Sequence, residues 1–172
     1  PGPSREMHPM FEDQVIPRLQ KEGVFPEIDC YLQIRTAGIG ESTVAEKVEH
    51  LFEGKDELLV GYCAHAGMVD IRLSSLNSEI LNEQDLHNLA DACRDALGED
   101  FVCLGDRTIA GVIFRELRNL DKTLAVAESC TGGLLSSSFT EIPGISKVFH
   151  GGAVCYHNDA KVQILDVPES ML

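Results

Sequence analysis

Residues 123–133 read Thr-Leu-Ala-Val-Ala-Glu-Ser-Cys-Thr-Gly-Gly. The apolar run at 124–127 predicts a buried strand, and Gly132-Gly133 predicts the opening of a helix. Ser129 lies between them, where a hydroxyl beside free backbone N–H groups could attack a substrate or help to hold an oxyanion or a phosphate. The same pattern is typical of a tight turn whose hydroxyls cap the following helix. Both interpretations of this stretch stay open at this point.

The second half of the chain alternates between predicted strands and predicted helices. The strands are expected at about 101–104, 123–128 and 148–156, and the helices at about 107–120, at about 132–140 and from Asn158 or Asp159 onward. A βαβ order of this kind predicts a parallel sheet flanked by helices. The carboxyl ends of parallel strands meet at one edge of the sheet, and ligands bind outside that edge.

Three reactive side chains are predicted to meet at this edge. Ser129 follows the strand at 123–128, Tyr156 ends the strand at 148–156, and Lys161 falls in the opening turn of the helix after Tyr156. A serine and a lysine placed together can act as nucleophile and base, as in the Ser–Lys variants of the catalytic triad. A lysine serves as a base only where desolvation or neighbouring charge lowers the pKa of lysine.

The first half of the chain predicts a separate β-α-β-β-α module. Strands are expected at about 28–36, 58–64 and 68–75, and a helix at about 83–97, from alternating and helical spacing of apolar residues. The turn Gly38-Ile39-Gly40 could cradle a phosphate, but no dinucleotide fingerprint follows it. A plain strand–turn–helix connection is the favoured interpretation of that turn. Near the start of the chain, Pro17 is expected to interrupt any helix.

Composition limits the classes of function. The 172 residues hold 14 Lys and Arg against 28 Asp and Glu, a net charge of -14, which argues against a nucleic-acid binder. No apolar run approaches the ~20 residues that cross a membrane, and the sequence shows no basic-then-apolar leader pattern, so we expect a protein that is not secreted. The six cysteines form no CxxC pair and the histidines show no zinc-ligand spacing. We expect a cytoplasmic protein without a metal site.

Three motifs carry a family resemblance. AESCTGG at 127–133, IPG at 142–144 and GGAVCYHNDAK at 151–161 closely resemble the CinA family, in its C-terminal nicotinamide-nucleotide amidase domain. The resemblance implies hydrolysis of nicotinamide mononucleotide to nicotinic acid mononucleotide and ammonia, with Ser129 and Lys161 as the catalytic residues. It implies no metal or organic cofactor for that step, a pyridine nucleotide as the small-molecule partner, and a homodimer as the assembly.

The resemblance also implies three segments of a longer protein. Residues 1–24 are similar to the tail of an N-terminal molybdopterin-binding-like domain, residues 25–100 to a middle domain that serves as a spacer or dimerisation surface, and residues 101–172 to the first half of the amidase domain. The leading domain is linked with ADP-ribose pyrophosphatase activity, which would need a divalent metal. Family members continue past Leu172 with a further glycine-rich segment, so the sequence is expected to be a fragment.

The chemistry of an amide substrate gives the remaining motif residues candidate roles. Ser129 would attack the carboxamide carbon, and Tyr156 could relay a proton or orient Lys161. The backbone amides of Thr131, Gly132 and Gly133 could stabilise the oxyanion or grip a phosphate. The corresponding structural interpretations are a capping serine, an edge aromatic residue and a solvated lysine.

The sequence leaves alternative roles open for Glu128, Asn158 and Cys130. Glu128 could hold the lysine or a ribose hydroxyl, and Asn158 could cap the last helix or bind substrate. Cys130 is a rival nucleophile, because a thiol near a helix start can have a depressed pKa. His150 or His157 would then act as its base. Pyrophosphatase activity of the leading domain, and a non-catalytic nucleotide-binding or dimerisation module, are the alternative functions.

Overall fold

The computed structural model describes residues 2–24 and 28–172, and the chain divides into two compact units at Gly105/Asp106. The predicted boundary between 24 and 25 falls at residues 25–27, outside the described part. The first unit begins with a continuous helical segment, α1 (Ser4–Met10), a π-helical turn (Phe11–Val15) and α2 (Ile16–Lys21). The prediction that Pro17 interrupts the helix is wrong. The helical segment continues through Pro17, which lies in the first turn of α2, just after the π-helical turn.

The first unit is built on a four-stranded antiparallel sheet. Its strands are β1 (Cys30–Ala37), β2 (Leu58–His65), β3 (Met68–Ser75) and β4 (Phe101–Leu104), in the spatial order β2-β3-β1-β4. Helices α3 (Glu41–Val48) and α4 (Glu83–Leu97) connect them, with 3₁₀ turns at Glu49–Leu51 and Gly98–Asp100. The β-α-β-β-α order predicted from the sequence is confirmed.

One strand belongs to a different sheet from the one predicted. Phe101–Leu104 was expected to open the parallel sheet of the second half, but it pairs antiparallel with β1, with Ile34 opposite Leu104. The amide of Gly105 then donates to the Gln33 carbonyl at 2.7 Å, which extends this pairing by one residue. A four-residue apolar strand carries no sign of its partner, so only the pairing itself corrects the assignment.

The core of the first unit lies between the sheet and its two longer helices. Its buried apolar residues come from one face of the strands and the inner faces of α3 and α4: Ile34, Val44, Val48, Leu58, Val69, Ile71, Leu73, Leu81, Leu86, Leu89, Ala90, Cys93 and Leu97. Helix α4 starts with a capping box that the sequence analysis missed. Asn82 Oδ1 accepts from the Asp85 amide at 3.1 Å, and Asp85 Oδ2 accepts from the Asn82 amide at 3.0 Å.

The opposite face of this sheet holds a buried ion pair. Arg35 on β1 donates to both carboxylate oxygens of Asp70 on β3, each at 2.7 Å, and the Asp70 side chain is 2% exposed. His65 Nε2 lies 3.2 Å from Asp70 Oδ2. The hydrogen bonds from Arg35 hold the pKa of Asp70 below its ordinary value, against the opposing effect of burial.

The second unit is a small α/β layer around a two-stranded parallel sheet. Its elements are α5 (Ile109–Asn119), β5 (Leu124–Glu128), α6 (Leu134–Thr140), a 3₁₀ turn (Ile145–Lys147), β6 (Phe149–Val154), α7 (Asn158–Leu165) and a last 3₁₀ turn (Glu169–Met171). The predicted parallel pairing of the two strands is confirmed. Thr108 caps α5, because its hydroxyl accepts from the Gly111 amide at 3.1 Å.

The strand pairing has a register shift near its start. Leu124 pairs with Phe149 and Ala125 pairs with Gly151, so one residue of β6 is extra. Gly151 has a φ of +132°, which only glycine adopts readily. After the shift, Val126 pairs with Gly152 and Glu128 with Val154, which brings the carboxyl ends of both strands level.

The core of the second unit is small. Its buried apolar residues are Ala110, Phe139, Ile145 and Val148. The rings of Phe139 and Phe149 pack 5.4 Å apart between α6 and β6. Large apolar side chains are also exposed here, among them Leu134 at 68%, Tyr156 at 71% and Ile164 at 59%.

Charge is divided unequally between the two units. Residues 1–105 hold 20 of the 28 acidic and 8 of the 14 basic side chains, so nearly all of the net negative charge belongs to the first unit. In the described part of the chain, no helix is both long and apolar enough to cross a membrane.

Candidate active site

The candidate site lies at the carboxyl edge of the parallel sheet. Strand β5 ends at Glu128, and the amide of Cys155 donates to the Glu128 carbonyl at 2.7 Å. The Ser129 loop and the segment from Tyr156 to Lys161 therefore leave neighbouring strands at one edge. This placement is the one predicted from the βαβ order.

Ser129 is half-buried, and its hydroxyl makes no hydrogen bond with the part of the chain that the structure describes. The alternative that Ser129 caps the following helix is wrong. The N-cap residue of helix α6 is Gly133, with a φ of +113°. Glycine has no side chain that could cap this helix. The Ser129 hydroxyl thus remains available to a substrate.

The backbone amides of the loop differ in their availability. The Gly132 amide donates to the Ser129 carbonyl at 3.1 Å, so this amide is committed to the turn. The amides of Thr131 and Gly133 have no acceptor among the described residues. Three backbone amides were predicted to donate to an oxyanion or a phosphate. The prediction is wrong for the Gly132 amide, whereas the other two amides are free to donate.

Glu128 is the most strongly held side chain at this edge. It is 7% exposed, and it accepts hydrogen bonds from the Leu135 amide at 2.8 Å and the Ser136 amide at 2.9 Å. The Thr131 hydroxyl adds a third bond at 2.7 Å, and the Ser136 hydroxyl adds a fourth. The proposed role of holding Lys161 is wrong, because every described contact of this carboxylate is with the loop or the start of α6.

These hydrogen bonds set the charge state of Glu128. Led by the bond from the Ser136 side chain, they lower its pKa from 4.5 to about 2, against the opposing effect of burial. A depressed folded-state pKa means that Glu128 stabilises the fold fully above about pH 4.5 and progressively less as the pH falls toward about 2. The carboxylate is therefore ionised throughout the physiological range.

The second segment places Lys161 as predicted, with different partners. Lys161 lies in α7, and its Nζ donates to Asn158 Oδ1 at 3.1 Å. Asn158 does not cap this helix. The cap is His157, whose Nδ1 accepts from the Asp159 amide at 3.3 Å. Asn158 therefore orients the lysine, and the prediction that it could cap the helix is wrong.

The catalytic candidates share an edge without touching. Neither the Tyr156 hydroxyl nor the Ser129 hydroxyl bonds to Lys161 within the described chain. In catalytic sites without substrate, such contacts are often longer than they become during reaction. Cys130 is exposed in the same loop, and His157 is committed to its cap. His150 lies near the other end of β6, away from this edge.

Sequence reasoning missed two residues of the site. Ser136 supplies both a hydroxyl and an amide to Glu128, and Gly152 lies directly beneath that hydroxyl on β6. A Cβ at Gly152 would overlap Ser136 Oγ and lie 2.9 Å from Val126 Cγ2. A carboxylate just before a glycine-led helix start was the available signal, because acidic side chains favour helix N-termini.

Comparison with known proteins places this arrangement in a family. The family profile "CinA C-terminal domain" matches residues 106–172, and the profile "Damage-inducible protein CinA KH domain" matches residues 33–102. The chain belongs to the CinA family. The match to the CinA KH domain ends at residue 102, within β4, and the match to the CinA C-terminal domain begins at Asp106, the first residue of the second unit.

Relatives in the CinA family match the whole chain. A CinA-like protein of Desulfovibrio desulfuricans is 38% identical over 100% of this chain and 40% of its own length. A CinA-like protein of Nostoc punctiforme is 37% identical over 100% of this chain and 41% of its own length. The chain thus spans about two fifths of the length of the curated relatives it matches.

Solved structures of similar sequence also bear family names. The crystal structure of the competence/damage inducible protein CihA from Agrobacterium tumefaciens is 43% identical, with a TM-score of 0.36, over 37% of this chain and 38% of that chain.

Within residues 2–24 and 28–172, no group of three or more His, Cys, Asp or Glu side chains is arranged to hold a metal ion.

Proposed function

We propose that the second unit contributes the nucleophile-bearing part of a serine amidohydrolase site. Its substrate would be nicotinamide mononucleotide, and its products nicotinic acid mononucleotide and ammonia. The observation that carries the proposal is the parallel pairing of Glu128 with Val154, which puts the Ser129 loop and the Lys161 helix at one sheet edge. The CinA motifs around both segments support the choice of substrate.

The reaction needs a nucleophile, a base and an oxyanion donor. Ser129 Oγ would attack the carboxamide carbon and lose its proton to Lys161 Nζ, giving a tetrahedral intermediate with a negative oxygen. The free amides of Thr131 and Gly133 are the donors of this loop that could face that oxygen. The protonated lysine then gives its proton to the departing nitrogen, and ammonia leaves.

The second half of the reaction returns the enzyme to its starting state. Water attacks the ester formed on Ser129, Lys161 takes a proton from that water, and the acid is released as the serine oxygen recovers a proton. Asn158 supports this cycle because it holds Lys161 Nζ at 3.1 Å in the ground state. Tyr156, which is 71% exposed, would orient the lysine or close over substrate.

The test is ammonia release from nicotinamide mononucleotide in chelator-treated buffer, using the natural full-length form of the protein. Ser129→Ala and Lys161→Ala are each expected to lower kcat by at least about 1,000-fold, because each removes a member of a catalytic unit. Ser170→Ala is the matched control, since Ser170 is exposed and lies in the last 3₁₀ turn. Its activity should equal that of wild type.

A covalent probe identifies the nucleophile independently of mutagenesis. A sulfonyl fluoride reacts with an activated serine, and peptide mass spectrometry locates the modified residue. Labelling of Ser129 supports the proposal, whereas labelling of any other serine moves the nucleophile to that position. Loss of activity in Cys130→Ala with Ser129→Ala unaffected would instead favour the exposed thiol.

The same assay separates the remaining functions. Hydrolysis of ADP-ribose that needs a divalent metal and survives Ser129→Ala would belong to a leading domain of the longer relatives. Absence of any ammonia release from the wild-type protein would contradict the amidase proposal. A non-catalytic nucleotide-binding or dimerisation module would then become the better interpretation.

A further inference from the structure

Glu128 fills the space beside the start of α6 with a carboxylate from the chain itself. Each of its two oxygens accepts from a backbone amide, Oε2 from Leu135 and Oε1 from Ser136. Both amides belong to the first turn of α6, where N–H groups have no partner within the helix. The carboxylate thus joins the end of β5 to the beginning of α6 across the entire Ser129 loop.

Hydroxyl groups bind the same two oxygens from within and beyond the loop. Thr131 Oγ1 donates to Oε2 at 2.7 Å, and Ser136 Oγ donates to Oε1. Thr131 lies between the candidate nucleophile and the glycine pair, so its bond holds the loop at its middle. Each carboxylate oxygen therefore receives one amide and one hydroxyl.

This set of contacts uses both oxygens of the Glu128 carboxylate as acceptors. Glutamine has one oxygen and one NH₂ group, so its NH₂ would face the N–H of either Leu135 or Ser136, and one buried donor would lose its acceptor. Aspartate is one methylene shorter, so its carboxylate would lie farther from the two amides. Four donors therefore converge on the Glu128 carboxylate and fix its position.

We propose that Glu128 is a positioning residue, which fixes the Ser129–Gly133 loop so that its hydroxyl and its free amides face the substrate together. The inference rests on the proposed function, because it assumes that this loop carries the reacting groups. It assigns Glu128 neither proton transfer nor substrate contact. The Glu128 carboxylate already occupies the start of α6. The substrate would therefore place its neutral carboxamide, and not its phosphate, beside that helix.

The experiment compares Glu128→Gln with Glu141→Gln, a control at the other end of α6, where the glutamate is exposed. The first readout is amide hydrogen exchange at Leu135 and Ser136, measured by NMR in the natural full-length protein. Exchange at the amide that then faces the NH₂ group should rise at least about tenfold in Glu128→Gln, since its hydrogen bond to a charged acceptor is lost. Glu141→Gln should leave both rates unchanged.

The second readout is steady-state amide hydrolysis. Glu128→Gln should lower kcat by about 10- to 100-fold with KM within about threefold, because a displaced reacting group costs rate more than binding. Thr131→Val, which removes one donor and keeps the side-chain shape, should lower kcat in the same way by a smaller factor. A variant that merely unfolds would lose both kcat and the far-ultraviolet spectrum of wild type.

The outcomes separate this inference from the proposed function. Unchanged exchange at Leu135 and Ser136 in Glu128→Gln overturns the positioning role whatever the substrate. Raised exchange with an unchanged kcat shows that the loop does not position the reacting groups, and also overturns it. If wild type releases no ammonia, the proposed function fails, and the exchange result alone decides whether Glu128 fixes the loop.

Discussion

The two units bury polar groups in opposite ways. In the first unit, a carboxylate on one strand is held by an arginine on the next, and the pair connects elements far apart in sequence, Arg35 and Asp70. In the second unit, every described hydrogen bond to the Glu128 carboxylate comes from its own neighbours along the chain, within eight residues. The first arrangement stabilises a sheet, whereas the second shapes a single loop.

This difference matches the difference between the two cores. The sheet of the first unit packs against two helices, and its alternating strands bury one face thoroughly. The second unit has few fully buried apolar residues and leaves several large ones exposed. Stability in the first unit comes mainly from the burial of apolar side chains. The polar contacts of that unit can therefore be tested separately from the hydrogen bonds that hold the Ser129–Gly133 loop.

The largest effect is expected at the buried ion pair. Asp70→Asn should lower the free energy of unfolding of the first unit by about 3–5 kcal/mol, because it removes one of the two charges of a buried ion pair. The matched control is Asp91→Asn, whose pair with Arg94 has the same 2.7 Å separation but side chains 62% and 45% exposed. That change should cost less than about 1 kcal/mol. Urea unfolding measures both, and equal losses would contradict the role given to burial.

An intermediate effect is expected where β6 passes under α6. Gly152→Ala should destabilise the second unit by roughly 1–3 kcal/mol, since the new methyl group overlaps Ser136 Oγ. In a Ser136→Ala background the same change should cost less, with a coupling of roughly 0.5–3 kcal/mol. Gly40→Ala is the control, because Gly40 has a φ of −84° and open space around it. Simple additivity of the two changes in urea unfolding would exclude the contact.

The smallest effects are expected at the helix caps, one in each unit. Asn82→Ala removes the Oδ1 acceptor of the Asp85 amide in the α4 capping box and should cost about 1 kcal/mol. His157→Ala removes one exposed bond of 3.3 Å at α7 and should cost less than about 0.5 kcal/mol. Thermal unfolding of both variants checks the order, and a larger loss at α7 would reverse it.

Sequence reasoning succeeded where a local pattern decides the structure. Alternation along residues 28–36 and 68–75 predicted β1 and β3, and helical spacing predicted α4 to within its observed bounds, Glu83–Leu97. The βαβ order likewise predicted the edge that Ser129 and Lys161 share. Each of these features follows from residues close together in the chain.

It failed where a distant partner decides the structure. The sequence of the short strand Phe101–Leu104 gave no sign that β1 was its partner. The π-helical turn before Pro17 was likewise not predicted from the sequence. At the site, the roles of Glu128 and Asn158 depended on which donors came within reach. Side-chain partners of this kind are set by three-dimensional distances that a spacing pattern does not contain.

The contact between Gly152 and Ser136 also limits how this sequence can change over evolutionary time. A larger residue at 152 meets both the hydroxyl at 136 and Val126 Cγ2, and loss of that hydroxyl removes one of the four donors to Glu128. Substitutions at positions 136 and 152 are therefore coupled, and relief of the contact at the serine weakens the loop.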